Sequence, residues 1–228
     1  MKHFSLPRFA LAQLILLSSA ILFLAACSTP AAPTAAPAAA SNQAAPAPTK
    51  APVNNSGAAP KQGAERNNMY KSAPPMTIDP NKTYRATIET SKGNIVMDLY
   101  PKDAPQHVNN FVFLARQGFF DGLTFHRVEP GFVIQGGDPL GNGTGGPGYT
   151  IPPEIKRTHP AGAVAMARRG GPPETTPSSG SQFYITLDAT PALDGGYTSF
   201  GQVTPETMPV VMQIRKGDVM NKITIEEK

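Results

Sequence analysis

The chain has 228 residues and a single cysteine, Cys27, so no intramolecular disulfide is possible. Three of its four histidines, His107, His126 and His159, lie far apart with no metal-ligand spacing between them. No paired carboxylates accompany a reactive side chain, and Ser179 and Ser181 lack the G-x-S-x-G turn that activates a serine. These absences argue against a metal centre and against hydrolysis. Gly141-Asn142-Gly143-Thr144-Gly145-Gly146 matches G-x-G-x-x-G literally, but a dinucleotide fingerprint must open a helix. Here Pro147, Gly148, Pro152 and Pro153 follow, so the stretch reads as a glycine loop with unusual backbone angles.

The net charge of +4 is unevenly divided, since residues 82–228 hold 14 Lys/Arg and 14 Asp/Glu. A nucleic-acid footprint should lie on the folded part of the chain, so no nucleic-acid partner is expected.

At the N-terminus, Lys2 and Arg8 precede an apolar run over residues 9–26 broken only by Gln13, Ser18 and Ser19. No basic stop follows, which is the layout of a secretory signal rather than a membrane-spanning anchor. Leu24-Ala25-Ala26-Cys27 resembles a bacterial lipoprotein processing site, making 1–26 a signal peptide and Cys27 the acylated first residue of the mature chain. Acyl chains contribute roughly 0.8 kcal/mol per buried CH₂, and two or more give lasting attachment. The expected location is therefore extracytoplasmic, on a membrane through a lipid anchor. Residues 27–80 are rich in Ala, Pro, Thr, Ser and Asn without hydrophobic periodicity, and read as a linker. Such a coil of about fifty residues spans roughly 40 Å. Residues 81–228 remain as one domain.

Within that domain, 84–90 and 94–100 alternate apolar and polar residues about Ser91-Lys92-Gly93, predicting a hairpin. Asp103-Ala104-Pro105 opens a helix whose apolar positions are Val108, Phe111, Val112, Leu114 and Ala115, ended by Gly118. Strand is expected over 119–138, 161–167, 182–188 and 198–203, loop over 139–153, and a second short helix or turn from Val210. Many short strands with two helices suggest an antiparallel barrel closed by helices.

The chemically most telling run is Phe125-His126-Arg127-Val128-Glu129-Pro130-Gly131-Phe132-Val133-Ile134-Gln135-Gly136-Gly137-Asp138, answered by Gly180-Ser181-Gln182-Phe183-Tyr184-Ile185. Arg127, Phe132 and Gln135 put a permanent cation, an aromatic and an amide into a strand-turn-strand stretch. None is a nucleophile, which suits a protein that binds and polarises an amide without cleaving it. His126 and Arg127 fall on opposite faces of the strand, and rotation about an amide moves no proton, so His126 reads as structural.

From about Tyr84 onward these motifs resemble the cyclophilin-type peptidyl-prolyl cis-trans isomerases. The resemblance implies a mainly β fold, a closed eight-stranded antiparallel barrel capped by two α-helices, and a cofactor-free enzyme acting on proline-containing polypeptides. It implies catalytic roles for Arg127, Gln135 and Phe132, and a substrate groove of Val133, Ala167, Gln182, Tyr184, Leu193, Tyr197 and Phe200. A monomer serving exported proteins is expected, with a proline-binding chaperone or assembly module as the alternative. The chain departs from the family pattern in three ways. Ala192 stands where many members carry a tryptophan that contributes to cyclosporin binding, which implies weak inhibition here. Tyr184 and Tyr197 replace a frequent phenylalanine and histidine. The stretch 168–179 is longer than the common form.

Overall fold

The structure, a computed structural model, describes residues 63–228. The signal segment, Cys27 and the linker up to residue 62 lie outside the described residues.

Strands β1 (Tyr84–Thr90) and β2 (Gly93–Leu99) pair antiparallel with Ala86 opposite Met97 and Ile88 opposite Ile95. Both bury alternate residues, because successive side chains point to opposite faces of the sheet. The turn closes at Gly93, whose φ of 122° favours glycine. Helix α1 (Pro105–Arg116) begins with Pro105 in its first turn and buries Val108, Phe111, Val112, Leu114 and Ala115. It stops as expected at Gly118, where φ is 67°. The Gly118 N–H donates to Ala115 O at 3.0 Å and the Phe119 N–H to Leu114 O at 2.9 Å, the paired bonds of a left-handed helix terminus.

Strands β3 (Arg127–Glu129), β4 (Val133–Gly136), β5 (Thr150–Ile151), β6 (Ala163–Arg168), β7 (Ser178–Thr186) and β8 (Ser199–Val203) follow. Helix α2 (Met208–Val211) is a single turn, and β9 (Lys222–Glu227) completes the fold. All strand pairs are antiparallel, in the order β3-β4-β7-β6-β8-β2-β1-β9, with β5 beside β7. Where a closed eight-stranded barrel is expected, the observed sheet has nine strands in an open path, and β3 and β9 do not pair. A lone bridge, Thr124 to Val219, ties the segments preceding those two strands. Strand β6 carries register shifts on both edges, between Val164 and Ala165 and between Met166 and Arg168. Such bulges bend a strand and re-aim its side chains, here beside Ala167.

The core is aromatic. Phe111 stacks on Phe120 at 5.1 Å and meets Phe183 edge-on at 5.5 Å. Helix α1 thereby packs on the inner face of β7, the strand that carries Gln182 and Tyr184.

The linker boundary at residue 80 requires correction. Residues 63–66 form a 3-10 turn, Arg66 and Ile78 are buried, and Tyr70 meets Phe113 edge-on at 5.4 Å. Asn109 of α1 holds the later part of the segment: its Oδ1 accepts from Thr77 N at 2.8 Å and its Nδ2 donates to Pro75 O at 3.0 Å. A few anchoring side chains suffice to pin a segment whose average composition reads as linker.

Candidate active site

Across the β3–β4 hairpin, Arg127 lies directly opposite Gln135, and in the β4–β7 pairing Gln135 lies opposite Tyr184. Gln182, two residues before Tyr184, shares its face of β7. Three polar side chains therefore form a row. Arg127 Nη1 donates to Gln135 Oε1 at 3.1 Å, Gln135 Nε2 donates to Gln182 Oε1 at 3.0 Å, and Gln182 Nε2 donates to Gly145 O at 2.8 Å. The ends of this row fix its sense. A guanidinium can only donate and a backbone carbonyl can only accept, so both glutamine amides have one orientation that satisfies every member. Arg127 is further steadied by Glu129, whose Oε1 accepts from Nε at 2.9 Å, and its Cζ sits 5.8 Å from the Phe132 ring centre.

Beside the row is an apolar cup. Val133, Ala165 and Tyr184 form its buried floor, and Phe132, Ala167, Leu193 and Tyr197 form half-buried walls. The cavity over this floor is about 440 Å³, and the Arg127 and Gln135 side chains border it. Tyr184 brings a hydroxyl to an apolar floor, and His159 Nε2 lies 3.2 Å from it. His159 Nδ1 is 2.9 Å from Asp194 Oδ1, so with Nδ1–H donating to the carboxylate, Nε2 is left to accept from Tyr184. Burial pushes the Tyr184 hydroxyl well above its usual pKa, which keeps it a donor. The polar group is thus satisfied, which removes most of the cost of burying it.

A second hollow of about 700 Å³ adjoins the cup. Gln182 and Gly143–Gly146 line one side of it, and Ala167, Arg168, Arg169, Thr176 and Pro177 of the long 168–179 stretch line the other. Arg168 holds this stretch in place: Nε donates to Gly196 O at 2.7 Å, Nη1 donates to Gly171 O at 2.8 Å, and Cζ lies 4.8 Å over the Tyr197 ring. The glycine loop wraps the Asp138 carboxylate, which accepts from the N–H groups of Leu140, Asn142 and Gly143. A Cβ at Gly145 would fall 2.2 Å from Asp138 Oδ1, so only glycine fits there.

Arg127, Phe132, Val133, Gln135, Ala167, Tyr184, Leu193 and Tyr197 thus meet around one cavity, with Gln182 bonded into the row at its edge. Phe200 is a correction. It is fully buried in the main core, 5.4 Å from the Phe111 ring, and contributes nothing to the cup wall. Its position on β8 turns it inward toward α1, which a short motif match does not reveal. His126 is a second correction: it borders the cup together with Arg127, because the strand begins only at Arg127 and alternation does not reach back to His126. Its Nδ1 is buried and unpartnered, and burial holds its pKa below the usual value. Sequence reasoning missed Glu129, His159, Asp194 and the bracing role of Arg168. Only Glu129 had a local signal, two residues from Arg127 on the same strand face. Among the described residues, no group of three or more His, Cys, Asp or Glu is placed to hold a metal ion.

Comparison with known proteins supplies an independent line. The family model for the cyclophilin type peptidyl-prolyl cis-trans isomerase/CLD matches residues 85–227. A Helicobacter pylori peptidyl-prolyl cis-trans isomerase is 44% identical over 161 residues, covering 64% of this chain and 96% of that protein. Peptidyl-prolyl cis-trans isomerase B of Bacillus subtilis is 49% identical over 135 residues, covering 58% of this chain and 90% of that protein. The crystal structure of a Cryptosporidium parvum cyclophilin type isomerase is similar with a TM-score of 0.58 at 28% identity, covering 64% of this chain and 99% of that one.

Proposed function

Because the chain belongs to the cyclophilin-type peptidyl-prolyl cis-trans isomerases, we propose that its cup receives the proline ring of an X–Pro bond and that Arg127 stabilises the twisted amide. Rotation about an amide faces a barrier of about 18–20 kcal/mol, because resonance gives the C–N bond double-bond character. X–Pro bonds populate both isomers and exchange over tens of seconds, slow enough to limit folding. Rate is gained only from interactions stronger in the twisted state than in the planar one. As the amide twists, the nitrogen lone pair localises and becomes an acceptor. Arg127 keeps an N–H on Nη1 beyond its bond to Gln135, and a guanidinium cannot lose its proton. That donor serves the carbonyl oxygen of the proline residue and the pyramidal nitrogen.

The observation that carries this reading is the single-sense row from Arg127 to Gly145 beside an apolar cup. It holds a cation at fixed orientation and leaves an Nη1 N–H unspent. Rotation transfers no electron and no proton to the protein, so the row and the cup suffice. The test is exchange of an Ala-Pro tetrapeptide measured by NMR line broadening. Acceleration over the uncatalysed rate, with no cleaved product, is the expected result; a rate equal to that of buffer refutes the reading.

The substrates we propose are exported polypeptides, met outside the cytoplasm by a domain on a lipid tether. The support is the apolar run 9–26 ending at Leu24-Ala25-Ala26-Cys27. Cys27→Ser should release the protein from the membrane fraction and abolish the lipid mass on the mature N-terminal peptide. An unchanged membrane fraction and peptide mass overturn the anchor.

A second reading, a binding module with incidental turnover, draws on the larger hollow beside the cup and the Arg168-braced wall that encloses it.

A further inference from the structure

The row of hydrogen bonds does not end at Gly145. Gly145 C=O and Gly146 N–H belong to one planar peptide unit, and a trans peptide points these groups in opposite directions. The Gly146 N–H donates to Asn67 Oδ1 at 3.1 Å. One donor-to-acceptor line therefore runs from Arg127 through Gln135, Gln182 and a single peptide plane to a side chain of the 63–80 segment.

The segment also holds the two peptide units that follow that plane. The Asn68 N–H donates to Gly146 O at 2.9 Å, and the Tyr70 N–H donates to Pro147 O at 2.8 Å. Asn68 takes a φ of 56°, and among the described residues it is the one non-glycine with positive φ. The contact is close enough to dictate residue choice in the domain. A Cβ at Gly148 would stand 2.2 Å from Tyr70 O. Arg66 fixes the other end, donating through Nη1 to Phe119 O at 2.8 Å and Asp121 O at 2.6 Å.

The reason such a grip matters lies in the glycines. Gly145–Gly146 sits among Gly143 and Gly148, and glycine has the widest choice of backbone angles, so no Cβ on either side of this peptide plane opposes its rotation. A flipped plane would present N–H to Gln182. To accept it, the Gln182 amide must reverse, and Gln135 must then reverse in turn. Its NH₂ would face the Arg127 guanidinium, donor against donor. The row tolerates one sense only, and the plane at its end selects that sense.

We propose that residues 63–70 form a clamp that sets the orientation of the Arg127–Gln135–Gln182 row, with Asn67 as its positioning residue. The inference rests on the isomerase reading of that row. It makes a segment outside the matched family region, 85–227, a working part of the site.

The test uses the full chain. Asn67→Ala should lower kcat for Ala-Pro exchange roughly tenfold or more, the scale on which small displacements of a catalytic group act, with KM little changed. Asn67→Asp keeps the acceptor oxygen and should restore most of the turnover. In parallel, the side-chain amide NMR signals of Gln135 and Gln182 should shift in Asn67→Ala and return in Asn67→Asp. An Asn67→Ala protein with wild-type kcat and unmoved amide signals overturns the clamp, as do equal losses in both variants. Should the wild-type chain itself lack turnover, the isomerase reading fails, and the amide signals still decide whether Asn67 orders the row.

Discussion

Arg127→Ala should lower Ala-Pro exchange by about 10²–10³-fold, the usual loss when one preorganised donor to a developing charge is removed. The fold should survive. Arg127 lies at the exposed surface, and its Glu129 partner is equally exposed, so the ion pair contributes at most about 1 kcal/mol. Gln135 loses a donor to its Oε1 but keeps its bond to Gln182. Arg127→Lys should recover little, because an ammonium lacks the planar fork that serves Gln135, Glu129 and the substrate together. Exchange kinetics and a melting curve on the same preparation check both halves. Wild-type turnover in Arg127→Ala sinks the mechanism. Affinity for a proline peptide that persists after turnover is lost is compatible with the isomerase, since the cup remains. Binding that also disappears on trimming 168–179 favours the module reading.

The second large effect concerns stability. Glu154→Ala should cost about 2–4 kcal/mol. The N-cap residue of α1, Ala104, offers no side chain to the first turn. Glu154, from the loop after β5, supplies what is missing: Oε1 accepts from Gln106 N at 3.1 Å and Oε2 from His107 N at 3.0 Å. Oε2 also lies 2.7 Å from Nδ1 of His107, a fully buried side chain. A carboxylate at a helix N-terminus gains from the helix dipole as well. Removing it leaves the N–H and Nδ1 of buried His107 without this partner, and His107 Nε2 already has none.

This contribution depends on pH in a defined sense. Burial alone would raise the Glu154 pKa, but the hydrogen bonds from His107 and from the Gln106 backbone outweigh it and hold the carboxyl below its ordinary value of 4.5. The unfolded chain then binds the proton more readily than the folded one, so stability falls with falling pH. The contribution is complete above 4.5 and is lost as pH drops through the lower folded value. His126 acts with the same sign below 6.5, since burial lowers its pKa too. Comparing Tm of the wild type with Glu154→Gln cancels the His126 effect. The gap should be constant above 4.5 and close below it. A gap that widens on acidification refutes the Glu154 assignment.

Local chemistry was legible in the chain itself. Alternation predicted the β1–β2 hairpin, and Pro105 and Gly118 bracketed α1, because these signals act between residues a few positions apart. Arg127, Gln135, Gln182 and Tyr184 were legible through motifs whose members stand on adjacent, registered strands, and Phe132 through the turn that joins two of them. Strand β9 and the two-residue β5 were not, since short strands exist by virtue of partners distant in sequence. Phe200 was misplaced for a related reason: which face of β8 meets α1 depends on how the sheet curls.

The sequence by itself therefore determined the residue types of the site and the elements that carry them. The tertiary structure decided which of those residues face one another, and it made residues 63–80 part of the domain. Averaged composition dilutes Arg66, Asn67, Tyr70 and Ile78 among alanines and prolines. Their partners are carbonyls, a helix asparagine and one glycine peptide plane, and those groups come together only when the chain has folded.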